Sequence, residues 1–125
     1  MASAESNKEG SSGSKKKENT SGLPSQGEVD AGVENAPPVD AGKQGKHVPG
    51  HPNNIPGKSQ WKEGSTGVEE TQKGWINGQE ARGETKVWDT GKEVGQNGET
   101  GVRVHSDKSG RIHGYPVNVE DYLGK

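Results

Sequence analysis

The stretch TGVRVHSDKSGRIHGYPV, Thr100 to Val117, decides the fold. Val102 and Val104 alternate with Arg103 and His105, and Ile112 alternates with Arg111, His113 and Tyr115. That is the period of two expected of a strand with one buried face. Between the two runs, Asp107-Lys108-Ser109-Gly110 carries turn chemistry. A three-residue loop with Gly110 left-handed sets Asp107 opposite Arg111, His105 opposite His113 and Arg103 opposite Tyr115. This register predicts an inward face of Val102, Val104 and Ile112 and an opposite face of Arg103, His105, Arg111, His113 and Tyr115. Every half-buried hairpin has a polar face, and most charged residues on such faces are only solvated. Two opposed histidines flanked by two arginines are a rarer choice, and they suit a phosphate.

Working outward, Val119 to Leu123 reads as a last short helix or a covering segment. Upstream, Lys86-Val87-Trp88-Asp89 reads as a strand, and the turns Thr90-Gly91 and Gln96-Asn97-Gly98 bracket a short segment from Lys92 to Gly95. Thr66 to Gly78 is the one helix predicted with caps. Thr66 can cap its start with Glu69 as the reciprocal partner, Val68, Gln72, Trp75 and Ile76 form its inward stripe, and Asn77-Gly78 ends it. Before it, KQGKHVPGHPNNIPGKSQW, Lys43 to Trp61, holds too much proline and glycine for a continuous helix. It reads as an extended, turn-rich arm that carries Lys43, Lys46, His47, His51 and Lys58. His47 and His51 have the spacing of a helical metal pair, but Pro49-Gly50 between them breaks that helix, so no metal is expected. A basic loop laid beside the hairpin, offering cations and a proton carrier to a phosphate, is the better use. Met1 to Gly42 is low in complexity and predicted to be a disordered tail, with Lys15-Lys16-Lys17 a solubilising run. The expected architecture is α+β: a small antiparallel sheet with one or two short helices over 43–125, preceded by the disordered tail 1–42.

Composition bounds the rest. From Lys43 onward only 18 of the residues are hydrophobic, so the core is thin and each of the three Trp weighs heavily. On this basis Trp88→Ala is expected to unfold the domain. The net charge of -2 excludes a nucleic-acid protein held by bulk charge. Up to Gly42 there are four Lys against seven acids, and from Lys43 twelve cations against eleven, so any positive potential is local. With no cysteine there is neither a disulfide framework nor a Cys zinc site. No apolar run is long enough for a membrane span or the core of a signal peptide. A soluble monomer is expected, cytoplasmic or exported by a non-classical route.

No phosphate-binding glycine loop, nucleotide fingerprint or nucleophile elbow is present. Histidines, lysines and arginines on loops and strands suit one reaction well, the cleavage of RNA by its own 2'-hydroxyl. It needs a base, an acid and cations for the developing phosphorane, and no cofactor. Three segments then resemble the polymorphic toxin type 50 family. Lys43-Gln44-Gly45-Lys46-His47-Val48-Pro49-Gly50, with Asn53-Asn54 and Gly57-Lys58-Ser59, is similar to its opening signature KQxKHIPG…NN…GxS. Val87 to Gly95 is similar to its VDFGKxIG segment, and the hairpin to its IHYSKxGxHIVP ending. The three lie in the family's order and span about residues 43 to 117.

The resemblance implies a ribonuclease toxin domain of the barnase/EndoU/colicin/RelE group, with a helical N-terminal part packed on an antiparallel sheet. Carried over by position, it points to Lys46, His47, His105 and Lys108. Two departures stand out: Ser106-Asp107 replaces Tyr-Ser, and His113 falls one place late. The expected site has His47 and His105 as the acid and base, with His113 an alternative for either. Lys46, Arg103, Lys108 and Arg111 would hold the phosphate. RNA, tRNA included, is the expected partner, together with an immunity protein if the domain is deployed as a toxin. The alternative is a catalytically inactive module of the same fold that binds RNA or protein.

Overall fold

The computed structural model describes residues 18–123. The hairpin forms in the expected register. β5 (Gly101–Ser106) pairs antiparallel with β6 (Ile112–Val117), with His105 opposite His113 and Arg103 opposite Tyr115. Gly110 closes the turn at φ 89°, which a side chain would oppose. Asp107 holds the turn, its Oδ1 accepting from the Ser109 and Arg111 amides and the Ser109 hydroxyl, and its Oδ2 from Lys43 Nζ. Those donors, the Ser109 hydroxyl foremost, keep its carboxyl well below the usual carboxylate range. Val102, Val104 and Ile112 are fully buried on the inward face.

Around this pair grows a six-stranded sheet in the order β1-β2-β6-β5-β4-β3. β4 (Thr85–Asp89) pairs with β5, and β3 (Gln79–Ala81) with β4, both antiparallel. On the other edge β2 (Val39–Asp40) runs parallel to β6 through Val39 and Ile112, and β1 (Glu28–Val29) pairs antiparallel with β2. The architecture is therefore α+β with a mostly antiparallel sheet and one short parallel junction. α2 (Val68–Asn77) crosses the inward face, burying Val68, Thr71, Gln72 and Gly74. The helix starts one residue later than the capping pattern suggests. Gly67, left-handed, takes the cap position and gives no side-chain bond, while the Thr66 hydroxyl accepts from the Val68 amide at 3.4 Å. α3 (Glu120–Leu123) ends the described chain. Among the described residues no helix is long and apolar enough to cross a membrane.

The domain boundary requires correction. Residues 18–42 are not a free tail: Leu23, Val39 and Ala41 are buried in the main core. The thin core counted from Lys43 is completed by these three, and the segment is ordered by docking rather than by its own composition. Two buried glutamines help pin it and the adjoining helix. Gln72 accepts from the Ala31 amide and donates to Pro37 O and Asp30. Gln44 accepts from the Gly114 amide and donates to Thr66 O and the Thr71 hydroxyl. Gln44 thus serves a strand amide beyond the end of the two-residue β2, where a longer partner strand would have served it. The expectation of disorder for residues 1–17, with Lys15 to Lys17, lies outside the described residues.

The basic arm also differs in part. It opens with α1 (Ala41–Gln44), capped by Asp40 Oδ1 accepting from the Lys43 amide, and a 3-10 turn over Gly45–His47. Only after Val48 does it become the chain of turns its prolines dictate. Of the tryptophans, Trp61 is fully buried, whereas Trp75 and Trp88 are partly buried against the core. Trp61, rather than Trp88, is thus the tryptophan enclosed by the core.

Candidate active site

The arm returns across the outer face of the hairpin, and the two make an open cleft of about 380 Å³ lined by Lys46, His47, Lys58, Ser59, His105, His113 and Tyr115. The 3-10 turn presents Lys46 and His47, β5 presents His105, and β6 presents His113 and Tyr115. Their rings form a continuous aromatic platform. His47 stacks on Tyr115 with centroids 4.7 Å apart, and His105 stacks on His113 at 5.1 Å. Tyr115 joins the two pairs, its centroid 5.5 Å from that of His105 and its hydroxyl 2.8 Å from His105 Nε2.

The tautomer of His47 follows from its partner. Nδ1 lies 3.0 Å from the Ser59 carbonyl, which only accepts, so Nδ1 carries the proton and Nε2 of the neutral ring is left to take one. Burial pushes the His47 pKa below its ordinary value, against the pull of the Ser59 carbonyl, and Lys58, Lys46 and His105 push it further down. His105 is lowered by burial and by Arg103. His113 is pushed down to about 4, first by burial, then by His105, His47 and Lys43, with Asp40 in opposition. Burial raises Tyr115. At neutral pH the cleft therefore presents three neutral imidazoles and a neutral phenol beside Lys46 and Lys58.

Lowered histidines predict a fold that loses stability in acid. The unfolded chain binds protons below its ordinary histidine pKa of about 6.5, and folded His113 only near 4, so stability present above pH 6.5 is lost as pH falls towards 4. The loss from His113 alone is about 2–3 kcal/mol at the bottom of that window. Thermal melts from pH 7 to 4 should show a falling midpoint, and His113→Gln should flatten the fall. An unchanged slope in the variant would contradict this assignment.

Four of the seven expected site residues, Lys46, His47, His105 and His113, meet in the cleft; the other three do not. Arg103 does not line the cleft but lies behind Tyr115: Nε donates to Thr85 Oγ1, Nη2 to Arg82 O, and Nη1 to the hydroxyls of Tyr115 and Tyr122. Arg111 is drawn to the sheet edge by Glu28 and Asp40, acids of the segment assigned to a tail. Lys108 sits exposed in the hairpin turn, outside the cleft lining. Lys58, Ser59 and Tyr115 complete the lining instead; Lys58 was legible as a cation of the basic arm, and Tyr115 as a member of the hairpin's polar face.

His51, four residues from His47, has a structural role. It is 2% exposed, with Nε2 donating to Pro24 O and Nδ1 accepting from the Asn53 amide. Its ring lies so close to Gly45 that a Cβ there would fall 2.2 Å from it. Among the described residues no group of three or more His, Asp or Glu side chains is placed to hold a metal ion. Comparison of the chain with protein-family models, with curated proteins and with solved structures finds no match.

Proposed function

We propose that the protein is an endoribonuclease, toxin-like in kind, that cleaves RNA without a metal through attack of the 2'-hydroxyl. The observation that carries this reading is the convergence of three histidines, two lysines and a tyrosine on one open cleft that no carboxylate lines. Neutral His47 has a free Nε2 to take the 2'-proton, and Lys46 and Lys58 supply charge to the phosphorane. The second histidine of the pair is His105, whose Nε2 lies 2.8 Å from the Tyr115 hydroxyl. Stacked rings also offer a surface for bases, which single-stranded RNA exposes.

The test is incubation of the protein with total RNA and with tRNA in excess chelator. Discrete cleavage leaving 2',3'-cyclic phosphate ends is expected. A folded protein that binds RNA and leaves its length unchanged would overturn the catalytic reading in favour of a binding module.

A further inference from the structure

Tyr115 lies at the centre of the cleft, and its hydroxyl makes a specific set of bonds. Arg103 Nη1 donates to it at 3.2 Å, and His105 Nε2 lies 2.8 Å from it. When His105 is protonated, its Nε2–H and Arg103 together occupy both lone pairs of the phenol oxygen, and the phenol's own proton is left to point elsewhere. The Nε2 of His105 is thus engaged by this hydroxyl. Arg103 is itself held from several sides: Thr85 and the Arg82 carbonyl accept from its other nitrogens, Tyr122 accepts from Nη1, and the Tyr122 ring lies 4.5 Å from its Cζ.

We propose that the Tyr115 hydroxyl is the catalytic proton donor to the leaving 5'-oxygen, replenished from His105, and that Arg103 is the positioning residue that holds it. This rests on the ribonuclease reading. In the step, His47 Nε2 takes the 2'-hydroxyl proton as the 2'-oxygen forms its bond to phosphorus. As the bond from phosphorus to the 5'-oxygen breaks, that oxygen takes the Tyr115 proton, and the phenol oxygen takes the Nε2 proton of His105. The products are a 2',3'-cyclic phosphate and a 5'-hydroxyl; His47 ends protonated, His105 neutral and Tyr115 restored. Burial keeps Tyr115 a phenol rather than a phenolate at neutral pH, as a donor must be.

The experiment compares a short RNA with the same RNA carrying sulfur in place of the bridging 5'-oxygen at the mapped cleavage position. A thiolate leaves without a proton, so a missing acid no longer matters. On normal RNA, Tyr115→Phe is expected to lower kcat by about 10²-fold with KM little changed. On the sulfur-substituted RNA it should match the parent, while a His47 variant stays impaired on both. Arg103→Lys should show the Tyr115→Phe pattern in weaker form. A fully active Tyr115→Phe would overturn the proposal, as would equal losses on both substrates, which would make the hydroxyl merely structural. If the parent protein cleaves neither RNA, the ribonuclease reading itself fails. Cleavage by the parent with no sulfur rescue condemns the tyrosine alone.

Discussion

His47→Asn is expected to lower RNA cleavage by about 10²- to 10⁴-fold, the range for removal of a positioned base, while the protein stays folded. Asparagine is the informative replacement because its amide can keep the donor to the Ser59 carbonyl that Nδ1–H supplies now. What it cannot supply is Nε2, the proton acceptor. The pH profile gives a second arm to the prediction. In the free enzyme the base must be neutral and the acid protonated, and burial lowers the pKa of both His47 and His105. Activity expressed as kcat/KM should therefore peak below pH 6.5 in the parent, and the residual activity of the variant should lose the limb that rises with pH. His51→Asn is the control from four residues away. It removes the ring Nε2–H that donates to the Pro24 carbonyl, at a site buried against Gly45, so it should lower the melting temperature without entering the cleft chemistry. Parent-like cleavage by a folded His47→Asn would remove His47 from the mechanism.

The hairpin was readable residue by residue because alternation and a turn glycine are local properties, and local properties survive transfer from chain to fold. Its register in turn made the opposition of His105 and His113 legible. Arg103 and Arg111 share that face, yet their destinations depend on partners distant in sequence. Tyr122 and Thr85 claim one, and Glu28 and Asp40 claim the other. Long, flexible cations go where acceptors are, which strand periodicity does not encode. The docked segment was missed for a related reason. Leu23, Val39 and Ala41 are too sparse to form a core alone, and they become core residues only where the sheet and α2 leave places for them. His47 and His51 look equivalent in sequence. Their separation into a cleft residue and a structural one comes from Gly45, whose missing side chain makes room for the His51 ring.

Trp61→Ala is expected to unfold the domain, or to lower its melting temperature by more than about 15 °C. Trp61 is 0% exposed and is the largest fully buried side chain among the described residues. Truncating a buried Trp to Ala costs about 3–5 kcal/mol, and a small domain has only about 5–15 kcal/mol in total. A second cost is specific to this position. The indole Nε1–H donates to Gly114 O at 3.2 Å, inside the sheet, and alanine leaves that buried carbonyl without this donor, worth about another 1–3 kcal/mol. The damage also reaches the cleft, because the Trp61 amide donates to His47 O and the Gln96 side chain donates to Trp61 O. Trp61 therefore ties the end of the basic arm both to the sheet and to the turn that carries the base. Trp61→Phe keeps most of the volume and loses the indole bond, so it should fall between parent and alanine. Trp88→Ala, at a partly buried position, should keep a cooperative transition. Circular dichroism melts of the three variants order these effects. A Trp61→Ala protein melting within a few degrees of the parent would mean that the core is organised around some other residue, and that the His47 turn is held in place without it.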